Sequence, residues 1–135
     1  MITQLSVELR LKLLRVARQS IENFMKSGDR IQFPTEIAEL LEKRAVFVTL
    51  RKRSNGDLRG CIGHSKPRYP LIEAVAKTAI SSAVDDSRFT PLKIDELPDL
   101  LIELNVLSPI SPSKPENVEI GKHGLMIIKG SKGAL

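Results

Sequence analysis

Leu58-Arg59-Gly60-Cys61-Ile62-Gly63 holds the only cysteine of the chain, placed between two glycines and two residues after an arginine. A glycine within a strand gives up side-chain packing and raises the entropy of the unfolded chain, so two of them around one thiol point to close approach of the backbone by something else. Side chains alternate along a strand, which puts Arg59, Cys61 and Gly63 on one face and Leu58, Gly60 and Ile62 on the other. A guanidinium about 7 Å along the same face would favour the thiolate over the thiol. Gly63 would leave the space beyond the sulfur empty for a ligand. If Asn55-Gly56 forms a two-residue loop, Leu50 lies opposite Cys61 and Lys52 opposite Arg59, adding a second cation to an anion-accepting patch. The chemistry-free alternative is a core cysteine, because a free thiol behaves as a small hydrophobe.

Other candidates lie around the hexapeptide. His64 makes Cys-x-x-His with Cys61, which would suit a nucleophile and its base. Three residues apart on a strand means opposite faces, however, so a solvated or capping histidine is the competing reading. Asp86 follows a predicted helix and either bonds within its own turn or faces a cleft, with Arg88 as an anion clamp and Phe89 as an anchor. His123 reads as a turn residue that could also supply a base. Glu103 lies off the wholly apolar row of its strand, and surface is the preferred placement over partial burial. Arg51-Lys52-Arg53 reads as a solvated hairpin tip.

These residues need elements to hold them. Residues 6 to 27 repeat apolar side chains at three- and four-residue spacing (Leu9, Leu13, Val16, Ala17, Ile21, Phe24), with Ser6 as N-cap and Gly28 past the end, which predicts an amphipathic helix. A short helix from about Thr35 to Lys43 should turn Ile37, Leu40 and Leu41 inward. A hairpin follows, with strands 45–51 and 58–63 about Ser54-Asn55-Gly56-Asp57. Pro70 opens a third helix, 70–84, with a face of small residues. Residues 85–91 must be loop, 100–107 a strand with Leu100, Ile102, Leu104 and Val106 on one side, and 125–129 a short buried strand. Three prolines break the chain between Ser108 and Pro115. Helices with hairpin-connected strands give an α+β domain around an antiparallel or mixed sheet.

Composition narrows the classes. The chain of 135 residues is 41% hydrophobic and carries a formal charge of +5, with 12 Lys and Arg against 7 Asp and Glu in residues 1–60 and 9 against 9 thereafter. The excess could mark an anionic partner such as nucleic acid or simply a solvated helix face. Aromatic content of 4% without tryptophan gives little for base stacking. One Cys and two His cannot complete a zinc pattern, and no P-loop, Gly-x-Gly-x-x-Gly, His-Glu-x-x-His or EF-hand motif is present, so metals and nucleotide cofactors have no sequence support. No apolar run approaches the ~18 residues of a membrane span, and Glu8, Arg10 and Lys12 interrupt any signal-peptide core. The expectation is a cytoplasmic protein with no membrane association; its oligomeric state is open.

The hexapeptide Leu58-Arg59-Gly60-Cys61-Ile62-Gly63 matches the signature of the AMMECR family. Ala45-Val46-Phe47-Val48-Thr49-Leu50 resembles the strand before it, Asp86-Ser87-Arg88-Phe89 the family's Asp-Pro-Arg-Phe element with Ser87 replacing proline, and Glu96 to Leu100 with Ile102 to Pro109 the next strand. Gly121-Lys122-His123-Gly124-Leu125 is similar to a later turn. The resemblance implies a single domain, 1–135, lacking about its C-terminal third, divided into a larger and a smaller subdomain with the candidate active-site cleft at the motif. The family has no established activity. Its occurrence beside Memo-like and radical-SAM domains implies such pathway partners in the modification of RNA or protein. The resulting expectation is an enzyme-like domain binding a small-molecule, RNA or protein substrate through an anionic group. Cys61, Arg59 and Asp86 would be its catalytic residues, and Gly60, Gly63, His64, Arg88 and Phe89 would bind ligand. The alternative is a non-catalytic module for nucleic acid or a protein partner.

Overall fold

The structure, a computed structural model, describes residues 5–107 and 125–129. Helix α1, Val7–Ser27, begins where the Ser6 hydroxyl accepts the Leu9 N–H at 3.2 Å and ends at Gly28, whose φ of 79° only glycine adopts without strain. Leu13, Val16, Ala17 and Ile21 form its buried stripe.

Helix α2 is shorter than the periodicity predicts, spanning Ala38–Leu41. Ile37 and Glu42 are extended at its two ends, no side chain caps it, and the Glu42 carbonyl accepts the Leu71 N–H at 2.8 Å instead of continuing the helix. Only Leu40 of the three expected inward residues is buried; Ile37 and Leu41 face solvent. Four residues are too few to bury three side chains on one side.

Strands β1 (Val46–Lys52), β2 (Leu58–Gly63), β3 (Leu100–Leu107) and β4 (Leu125–Lys129) form an antiparallel sheet in the order β2-β1-β3-β4. Between the hairpin and β3 lie helix α3, Leu71–Val84, and a 3-10 helix, Ile94–Asp99. Val46, Val48 and Leu50 of β1 and Leu100, Ile102, Leu104 and Val106 of β3 join α1 and α3 in one hydrophobic core. The helices therefore cover one face of the sheet. Phe47, Thr49, Cys61, Leu101, Glu103 and Asn105 belong to the other by alternation and register. The expected turn at 121–124, with His123, and the proline-rich stretch 108–115 lie outside the described residues, as does the burial of β4.

The hairpin differs from the two-residue loop expected. Residues 53–57 form the connection, closed by the Gly56 N–H to the Lys52 carbonyl (2.7 Å) and the Lys52 N–H to the Asp57 carbonyl (2.8 Å). Gly56 alone has positive φ, so Asn55-Gly56 is not the mirror-image turn. Arg51 pairs with Leu58 and Leu50 with Gly60, which leaves Arg59 as an extra residue, a β-bulge. Thr49, not Leu50, thus stands opposite Cys61, and Lys52 does not face Arg59. A slip of one residue changes the face of every partner.

Candidate functional site

Cys61 lies half-buried on β2, which is an edge strand of the described sheet. Its Sγ is 3.2 Å from the Thr49 hydroxyl. The backbone of Cys61 points outward, away from β1, and is capped there by side chains. Asp86 Oδ2 accepts the Cys61 N–H at 2.9 Å, and Arg88 Nη2 donates to the Cys61 carbonyl at 3.2 Å. The same guanidinium closes the ring on Asp86 at 2.7 and 3.0 Å, while the Arg88 N–H bonds Oδ1 at 3.1 Å in the turn. One aspartate and one arginine thus imitate the neighbouring strand that an edge lacks.

The electrostatics follow from these bonds. The Arg88 guanidinium, and after it the Cys61 N–H, hold the buried Asp86 carboxyl far below the usual carboxylate range against the opposing cost of burial. Arg88 is raised in turn, first by Asp86 and in smaller part by the charge of Cys61. The cation bonded to the Cys61 backbone is therefore Arg88.

Arg59 is elsewhere engaged, contrary to the same-face expectation. The bulge breaks the alternation, and its buried guanidinium bonds Glu96 at 2.8 and 3.1 Å. Glu96 is lowered first by this contact. Phe89 lies near both guanidinium groups, its ring centroid 5.9 Å from Arg59 and 5.4 Å from Arg88. Arg59 and Glu96 also line a depression of about 350 Å³ beside Lys52 and Asp99. A groove of about 440 Å³ runs between residues 30–35 and α3, but its lining contains no thiol or histidine.

Both glycines are explained by crowding. A Cβ on Gly60 would overlap the Ser82 backbone carbonyl oxygen, so the glycine lets α3 approach the sheet. At that distance the Ser82 hydroxyl accepts the Ile62 N–H (3.1 Å) and donates to the Val48 carbonyl (2.8 Å), tying helix and hairpin together. Gly63 does not leave an empty space; the Phe47 ring occupies it and would collide with any side chain there. His64 is exposed just past the end of β2, with its N–H on the Val46 carbonyl at 3.3 Å.

The structure brings Cys61, Asp86 and Arg88 into direct contact, joins Arg59 to them through Phe89, and gives His64 no bond to the group among the described residues. Glu103 is not surface: it is 5% exposed and pairs with Arg51 at 3.2 Å. Thr49, Ser82, Glu96 and Asn105 also belong to this neighbourhood. For Thr49 and Asn105 the signal in the sequence is a polar residue inside an apolar run, Val46-Phe47-Val48-Thr49-Leu50 and Leu100-Leu101-Ile102-Glu103-Leu104-Asn105-Val106. Among the described residues no group of three or more His, Cys, Asp or Glu could hold a metal ion, and no helix is long and apolar enough to cross a membrane.

Comparison with known proteins adds the family. Protein PH0010 of Pyrococcus horikoshii is 43% identical over 128 residues, covering 87% of this chain and 62% of the relative. Protein MK0488 of Methanopyrus kandleri is 39% identical over 131 residues, covering 91% and 63%. The crystal structure of the uncharacterized protein PH0010 superposes with a TM-score of 0.76 at 41% identity, over 88% of this chain and 64% of that one. The chain thus spans somewhat under two thirds of the length of these relatives. The AMMECR1 family model matches residues 14–135, and the chain belongs to the AMMECR1 family.

Proposed function

We propose that this domain carries out thiol chemistry at Cys61 on a substrate whose anionic group is received by Arg88. The observation that carries the reading is the construction around one half-buried cysteine. Its N–H and C=O are fixed by Asp86 and Arg88, its sulfur by Thr49, and its strand by Ser82. Arg88 is 55% exposed, so its outer side is open to a substrate while its inner side holds the strand. Asp86 is then a positioning residue, and Arg59 supports the site from behind through Glu96 and Phe89. Gly60 and Gly63 shape the strand. In the pathway that the family resemblance implies, the substrate would come from a partner of the Memo-like or radical-SAM type.

The binding-module reading has less support, because Arg51, Arg59 and Arg88 each pair with a carboxylate. Such pairing leaves less unbalanced charge for a phosphate backbone.

Alkylation of Cys61 tests the proposal. In the folded chain at pH 7, iodoacetate should react several-fold faster, relative to iodoacetamide, than it does in the urea-unfolded chain, because Arg88 attracts the carboxylate. Arg88→Leu should abolish that advantage and Arg88→Lys restore part of it. Arg59→Leu should change it by less than about twofold, its charge being already matched by Glu96. A cysteine inert until the protein unfolds would remove thiol chemistry from this site.

A further inference from the structure

The groove between residues 30–35 and α3 shares no residue with the Cys61 group and has a chemistry of its own. Ile72, Ala76 and Ile80 recur at four-residue spacing along α3 and so form one stripe; all three are buried, yet all three line the groove. The alanine between two isoleucines leaves room that a larger side chain would take up. Ile31 and Leu41, 38% and 47% exposed, add apolar surface to the walls together with Phe33. Single apolar side chains in solvent are ordinary, but two on one concavity of about 440 Å³, a size usual for small-molecule sites, mark a place for an apolar body.

Charge decides which kind. Arg30 and Lys77 line the groove against one carboxylate, Glu73. Lys77 stands 3.9 Å from Glu73 in an i,i+4 pair whose members are both about half exposed, a contact too weak to withdraw the ammonium from a ligand. Arg30 makes no ion pair among the described residues. Its guanidinium lies 5.2 Å from the centroid of the Phe24 ring, and the Lys77 ammonium 5.2 Å from that of Tyr69. Aromatic faces thus hold both cations in place without neutralising them.

We infer that this groove binds a small amphipathic carboxylate, with its aliphatic body along the Ile72, Ala76 and Ile80 stripe and its charge favoured by Arg30 and Lys77. An aliphatic ammonium is the wrong ligand, since only Glu73 would meet it. A compact anion such as inorganic phosphate is equally wrong, because it would leave the stripe uncovered.

Octanoate and octylammonium carry chains of similar length and head groups of opposite sign. Titrated by NMR into the isotope-labelled full chain, octanoate is expected to shift the amides of Ile31, Phe33, Ile72, Ala76 and Ile80, and to bind about fivefold more tightly than octylammonium. Its affinity should rise about threefold for each methylene from pentanoate to octanoate, as each is withdrawn from water. Arg30→Gln combined with Lys77→Gln should bring the two head groups to equal affinity while keeping the dependence on chain length, which separates these two cations from the net charge of the protein. Ala76→Phe should fill the groove and weaken octanoate about tenfold; where that variant does not fold, the paired glutamine variant and the chain-length series decide. Shifts confined to other surfaces, such as the exposed Val7 and Leu11 of α1, would overturn the site. So would equal affinity for the two head groups in the unaltered chain, or a folded Ala76→Phe that binds octanoate as before. A peptide of alternating glutamate and leucine that binds the same amides more tightly than octanoate would make the groove a peptide-docking surface and overturn the small-molecule assignment.

Discussion

Gly60→Ala is expected to destabilise the chain by about 3 kcal/mol, near the upper end of what overpacking costs. The added methyl would meet the Ser82 carbonyl oxygen, a backbone atom in the last turn of α3 that cannot rotate aside as a side chain could. Relief requires the helix to retreat from β2, and retreat draws the Ser82 hydroxyl away from the Ile62 N–H and the Val48 carbonyl. Two buried polar groups of the hairpin would then lose a partner, each worth about 1 kcal/mol. Gly28→Ala is the control. That glycine has a φ of 79° but open space around its Cβ position, so its replacement carries only the left-handed backbone penalty of about 1 kcal/mol. Urea denaturation of both variants would measure the difference. Equal losses would mean that the Gly60 contact is relieved by small shifts and that the glycine is not needed for helix approach.

Most of the frame was legible because it follows from periodicity. The stripe of α1, its Ser6 and Gly28 caps and the apolar row Leu100, Ile102, Leu104 and Val106 of β3 all appear in the sequence as local patterns, and the structure reproduces them. The hairpin shows where local reasoning ends. Asn55-Gly56 located the turn, but the loop length and the bulge at Arg59 depend on tertiary bonds, from the Arg59 pair with Glu96 to the seating of Asp86 on Cys61. A one-residue register error exchanged Leu50 for Thr49 opposite the thiol, and with it the identity of the face. Arg59 was the obvious cation by spacing, two residues before Cys61; Arg88, 27 residues away, is the one in contact. Glu103 was misplaced for a related reason. Alternation assigns it to the second face, but whether that face is buried depends on packing that no local pattern records.

The second large effect concerns Asp86, whose two oxygens serve four N–H donors: the Cys61 amide, the Arg88 amide, and the Arg88 Nε and Nη2. Asp86→Asn preserves the shape but turns one oxygen into an NH₂ group, which sets donor against donor toward either Cys61 or Arg88. The loss at pH 7 should be about 2–3 kcal/mol, the scale of hydrogen bonds to a charged acceptor. Its pH dependence is fixed in sign. The folded carboxyl lies well below its unfolded value of about 3.9, so its contribution is present in full above that pH and is lost as pH falls toward the folded value. The stability gap between wild type and Asp86→Asn should therefore be flat from about pH 5 to 8 and narrow below about pH 4. Glu96 is also depressed, by Arg59, but it is present in both proteins and cancels in the difference. Denaturation midpoints along a pH series would show this, together with Cys61 alkylation at pH 7. A gap that stays constant to pH 2.5 would show that Asp86 contributes through shape rather than charge. A gap that closes while the alkylation rate of Asp86→Asn matches wild type would confine the carboxylate to holding the strand edge, with no part in presenting the thiol.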